Sequence, residues 1–96
     1  MNAVLRKEVL ENKRFLEIIK IVRKVHGESH KEFYEVYDQY LKLYEGFETN
    51  DDLRIKETLH RLRVLTHDYL VPNDVCETYQ MVYEYIKSID QGYQEI

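Results

Sequence analysis

The sequence predicts an all-α fold, an antiparallel up-down-up-down four-helix bundle with short connections, in one domain spanning residues 1–96. Three observations carry that expectation. Apolar side chains recur at helical spacing in four stripes, Leu5 to Val25, Phe33 to Phe47, Ile55 to Leu70 and Val75 to Tyr93. Three stop–start signals separate the stripes, at Gly27-Glu28-Ser29, at Gly46 to Asp52, and at Val71-Pro72-Asn73. No strand-period alternation of useful length interrupts them. A three-helix core with a loosely docked first or last helix is the alternative arrangement.

The first helix is expected over residues 2–25, with Phe15, Ile18, Ile19, Val22 and Val25 on one face and Leu5 and Leu16 at its edge. Arg6, Lys13, Lys20 and Lys24 fall opposite. Gly27 is expected to stop this helix in the left-handed conformation. Ser29 and Glu32 form a capping-box pattern for the second helix. That helix should bury Phe33, Val36, Tyr37, Tyr40 and Tyr44, end at Gly46 and fold Phe47 back. Thr49 to Asp52 supplies N-cap candidates for the third. Ile55, Leu59, Leu62, Leu65, Tyr69 and Leu70 form its core face, and Pro72 closes it. Asp74 and Glu77 start the fourth, which should bury Val75, Tyr79, Val82, Tyr83, Ile86 and Ile89 before residues 91–96 fray.

Composition narrows the class. Charged residues make up 33% of the chain, with three glycines and one proline, as in a helix-rich globular chain rather than a disordered one. Cys76 is the single cysteine, so no intrachain disulfide can form, which fits a cytoplasmic location. No apolar run reaches the ~20 residues of a membrane span, and Arg14, Glu17 and Lys20 interrupt the first stripe, against a signal peptide. Residues 2–25 hold seven cations against three carboxylates, whereas residues 73–96 hold one against five. The first and last helices should therefore attract each other as neighbours. The net charge of −4 argues against general nucleic-acid binding. Nine tyrosines and no tryptophan suit a thin core whose hydroxyls reach solvent, or an aromatic contact surface.

Few residues suggest chemistry. Glu57-x-x-His60 has the spacing of a dimetal carboxylate site but lacks the second such motif, so no metal and no cofactor are expected. Cys76 reads as a small core residue. Lys56, His60, Arg63 and His67 share a stripe expected to face solvent. The segment Arg61-Leu62-Arg63-Val64-Leu65-Thr66-His67-Asp68-Tyr69 resembles the Arg-x5-His-x-Tyr signature of HEPN-type ribonucleases, which are all-helical. The resemblance covers nine residues, with Leu62 where the family usually has a polar residue. It implies an RNA-cleaving dimer in which Arg61 stabilises phosphate charge, His67 is the catalytic imidazole and Tyr69 is the modifiable or supporting tyrosine.

Leu10, Ile21, Val64, Met81 and Tyr85 fall off the main apolar faces and are read as a partner-binding surface. These features point to a small cytoplasmic protein of bacterial or phage type, acting without catalysis by binding another protein or a second copy of itself. RNA enters only through the ribonuclease reading. A bacteriocin-immunity-type bundle shares the size and helix count, with no motif to support it.

Overall fold

A computed structural model describes residues 3–94. It contains five helices, α1 Ala3–Glu11, α2 Lys13–His26, α3 Glu32–Glu48, α4 Asp52–Leu65 and α5 Glu77–Gln94, and no strand among the described residues. The all-α expectation holds, but the four-helix bundle with short connections is corrected in two places. What reads as one first helix is two, and the link between α4 and α5 is eleven residues long (66–76).

Asn12 makes the first difference. Its φ of −83° and ψ of 67° leave the helical region, and its side-chain oxygen accepts the Phe15 N–H at 3.2 Å. An asparagine that caps a new helix competes with continuation of the old one. The apolar stripe crosses the break without losing phase, so periodicity alone gives no sign of it. Arg6 of α1 donates through Nε to the Phe47 carbonyl at 2.8 Å and through Nη2 to that of Glu48 at 3.1 Å. It thereby caps the C-terminal end of α3, where carbonyls lack helical partners. This takes Arg6 out of the expected solvent-facing basic strip.

The glycines do not terminate helices as predicted. Gly27 has φ −57°, right-handed, and a Cβ there would meet the Tyr34 ring at 2.6 Å. Its value is close approach, not a left-handed turn. Gly46 lies inside α3, where a Cβ would sit 3.0 Å from Ile55 Cγ1, so it lets α3 and α4 pack closely as a hairpin. The left-handed stops are Asn50 and His67, at φ 54° and 51°. Each sits in a Schellman arrangement. Asn50 N–H donates to Phe47 O and Asp51 N–H to Gly46 O; His67 N–H donates to Val64 O and Asp68 N–H to Arg63 O. Asp51 then caps α4 by accepting the Arg54 N–H at 3.1 Å. Lys31, not Ser29, occupies the N-cap of α3, and it makes no side-chain capping bond.

α3 lies at the centre, packed on α1, α2 and α4, while α5 packs on α1 and α2. The first and last helices are therefore neighbours, as their opposite charges predict. The core includes Val9, Phe15, Ile19, Val22, Phe33, Val36, Tyr40, Leu43, Phe47, Ile55, Leu59, Leu62, Tyr79, Val82, Tyr83, Ile86 and Ile89. Burying each large side chain contributes about 1.5–3 kcal/mol before conformational entropy is counted. Tyr37 and Tyr44 are only partly buried, and the Tyr44 hydroxyl donates to the Leu10 carbonyl at 3.0 Å. Val25 and Leu70 leave the predicted core, at 67% and 70% exposure. Residues 91–94 continue α5 rather than fray; residues 2, 95 and 96 of the expected terminal elements lie outside the described residues. No helix among the described residues is long and apolar enough to cross a membrane.

Replacing Asn12 with Ala should cost about 1 kcal/mol and lower the melting temperature by roughly 4–8 °C with little change in helical circular dichroism. An unchanged melting temperature would mean that the α1–α2 break needs no cap.

Candidate functional site

Two places carry more than routine packing: the seam between α2 and α5, and a buried carboxylate between α4 and α5. The seam is antiparallel. Its register is set by Phe15 against Tyr85, with ring centroids 4.3 Å apart, and by His26 against Cys76 and Tyr79 at the other end. Arg23 lies 4.9 Å from the Tyr34 ring centroid, so that flank of α2 faces α3. At about 100° per residue, Ile18, Ile21 and Val25 fall on the side of α2 away from Arg23, although Ile21 also borders a shallow depression that includes Lys20, Arg23, Lys24 and Tyr34. Ile18 is partly buried against the core, while Ile21 and Val25 are 57% and 67% exposed. On α5, Met81 sits one turn before Tyr85, on the flank that meets α2, and is 40% exposed.

Of the five residues read as a partner surface, Ile21, Val64 and Met81 are exposed. Leu10 and Tyr85 instead pack against the core. Their apparent displacement from the apolar faces has a physical cause. The core wraps around α1 and the start of α2, so residues off one helix's main stripe are covered by another helix. Val64 stands apart, near the C-terminal end of α4. Val25 joins the exposed set in place of the covered pair.

The nuclease-like residues are placed differently from one another. Arg61 reaches α3 and forms a two-point ion pair with Glu35, Nη2 to Oε1 at 2.8 Å and Nε to Oε2. The bond to Arg61 holds the Glu35 carboxyl below its ordinary pKa. Tyr69 turns toward α5, where its hydroxyl donates to Asp90 Oδ2 at 2.7 Å. Burial first, then this bond, raises its pKa. His67 is exposed, at the first left-handed position after α4. One chain thus directs Arg61 and Tyr69 toward two different helices, with His67 as a helix stop between them.

Asp90 is the centre of the second place. It is 4% exposed, yet three side chains satisfy it. Arg63 Nη1 lies 2.8 Å from both carboxylate oxygens, Tyr69 donates to Oδ2, and Gln94 Nε2 donates to Oδ1 at 3.2 Å. Arg63 was expected to face solvent on the Lys56–His67 stripe; the carboxylate draws it inward. One feature in the sequence marks the spot: Asp90 interrupts the apolar face formed by Ile86, Ile89 and Tyr93. The cluster also holds three successive left-handed residues, His67, Asp68 and Tyr69, at φ 51°, 62° and 64°. Each costs about 1–2 kcal/mol in a non-glycine residue, least for His and Asp. The Tyr69 N–H donates to Thr66 Oγ1 at 2.8 Å, which in turn donates to the Leu62 carbonyl at 2.7 Å, and Leu70 N–H donates to Thr66 O.

The far end of the same link is held near the α2–α3 turn. His30 places Nε2 3.1 Å from Asp74 and Nδ1 3.3 Å from Glu32, and its ring packs on Tyr79. Cys76 is exposed, contrary to the core reading, with its sulfur 3.1 Å from His26 Nε2. No group of three or more His, Cys, Asp or Glu among the described residues is arranged to hold a metal ion. Comparison with family models, with curated proteins and with solved structures finds no match to this chain.

Glycine in place of His67 should stabilise the protein by about 0.5–1 kcal/mol, because it removes side-chain strain at the left-handed position and gives back part of that gain in chain entropy. The urea unfolding midpoint reads the change. A lower midpoint would show that the imidazole makes a contact the fold needs.

Proposed function

We propose that this chain is a non-enzymatic binding module whose α2–α5 seam receives an amphipathic helix of another protein. The observation that supports the reading is that Ile21 and Val25 on α2 and Met81 on α5 are exposed apolar side chains on two helices that meet through Phe15 and Tyr85. Exposed apolar side chains that border one groove, rather than scatter singly, favour contact with a partner. A groove between two helices suits a third helix that inserts residues at i, i+3 or i+4.

Charge selects the partner's character. α2 carries Lys13, Arg14, Lys20, Arg23 and Lys24 against Glu17 alone. A partner helix with an acidic flank and apolar anchors would match both features, with the charges contributing mainly to approach and orientation. Methionine at the rim adds an adaptable surface. Nothing in the arrangement of Arg61, His67 and Tyr69 favours the ribonuclease reading, since Arg61 and Tyr69 are engaged by Glu35 and Asp90.

A photo-crosslinking side chain placed at Ile21 or Met81 should capture one protein in the native cell, and the same group at Leu53 on α4 should not. Ile21→Glu and Met81→Glu should each weaken that complex roughly 30-fold, as for a contact hot spot, with the melting temperature within a few degrees of the parent. Equal capture from all three positions, or capture that survives both charged variants, would overturn the seam assignment. Crosslinks between copies of this chain would replace the foreign partner with self-association.

A further inference from the structure

We propose that the groove between α4 and α5 binds a phosphate monoester of a small molecule through Lys56, Arg63, Gln94 and Tyr93. The two helices are joined here by side chains rather than by close backbone packing, and a depression of about 360 Å³ remains, lined by Lys56, Leu59, Arg63, Tyr93 and Gln94. That volume lies at the small end of ligand pockets, enough for a phosphoryl group and a compact body.

Among the described residues the lining contains two cations and no carboxylate, with Asp90 behind it bonded to Arg63 and Gln94. Lys56 and Arg63 are two helical turns apart on α4 and so share a face. Among the described residues Lys56 has an exposed pair with Asp52, at 3.2 Å, which an incoming anion can compete with. Arg63 is more informative. Its Nη1 alone serves Asp90, leaving Nη2 and Nε without a protein partner among the described residues. Asp90 thus holds the guanidinium in place while its remaining edge stays available, and guanidinium edges match phosphate oxygens in shape and charge.

The independent sign is Tyr93. It is 7% exposed, and its hydroxyl is buried with no hydrogen-bond partner among the described residues. Buried donors of this kind are rare and need an explanation. Tyr93 lines this same depression, one residue before Gln94, whose amide already reaches the Asp90 oxygen. An oxyanion beside Arg63 would give the phenol its acceptor after a small shift of the ring. The adjoining depression, lined by Arg63, Asp68, Tyr69, Lys87, Asp90, Gln91 and Gln94, includes two carboxylates and is the poorer match for an anion.

The test is titration of the isotope-labelled protein with inorganic phosphate and, separately, with a sugar monophosphate, at constant ionic strength set by sodium chloride. The Arg63 Nε–H and Gln94 side-chain resonances should move and saturate. Lys56→Ala and Tyr93→Phe should each weaken binding about tenfold, and Tyr93→Phe should not lower the melting temperature of the ligand-free protein. Tighter binding of the sugar monophosphate identifies a monoester as the ligand; equal binding identifies free phosphate. No saturable shift at Arg63, shifts confined to the cations of α2, or full affinity in Tyr93→Phe would overturn the proposal.

Discussion

A buried carboxylate must be satisfied or it destabilises whatever surrounds it, and Asp90 is satisfied only when three separate parts of the chain meet. Arg63 comes from the last turn of α4, Tyr69 from the link that follows, and Gln94 from the end of α5. α4 and α5 do not pack closely along their backbones, so this cluster is their principal polar join. Removing a single member would leave a buried charge or hydroxyl without its partner, a cost of several kcal/mol for the ion pair. The same requirement accounts for the left-handed turn. Tyr69 can reach Asp90 because the chain reverses sharply after Leu65, and the bonds from Tyr69, Leu70 and Thr66 offset the strain of that reversal.

Much of the architecture was legible because apolar periodicity reports which residues face inward. The helical stripes were read correctly in type, and most predicted core residues are buried. What escaped was governed by single polar side chains. Asn12 divides the first helix by capping the second, although the apolar stripe continues in phase through it. Asn50 takes the left-handed stop that the glycine rule assigns to Gly46, and His67 stops α4 ahead of Pro72, while Gly46 and Gly27 serve close approach to Ile55 and Tyr34. The link after α4 was underestimated, since Pro72 marks where a helix cannot continue but not where it has already stopped.

The candidate sites were less legible for a related reason. Exposure at one helix depends on which other helix covers it. Leu10 and Tyr85 look free on a single wheel and are covered in three dimensions, whereas Val25 looks buried and is open. The histidine in the nuclease-like motif is similarly explained by the fold: His67 stops a helix, and its neighbour Tyr69 completes a buried cluster. Residues that sequence spacing placed in one chemical group are divided between α3 and α5 by their partners, Glu35 and Asp90. Arg63, which helical spacing assigns to a solvent-facing stripe, is the arginine held in place by a buried acid.

The dependence of the turn on the Asp90 cluster is tested most directly by native-state hydrogen exchange at the Tyr69 and Leu70 amides. If the cluster binds this segment into the cooperative core, both amides should exchange with a free energy within about 1 kcal/mol of the most protected amides of α3. Exchange near the unprotected rate, as at a fraying end, would show that the turn opens on its own and that Asp90 does not hold α4 and α5 together.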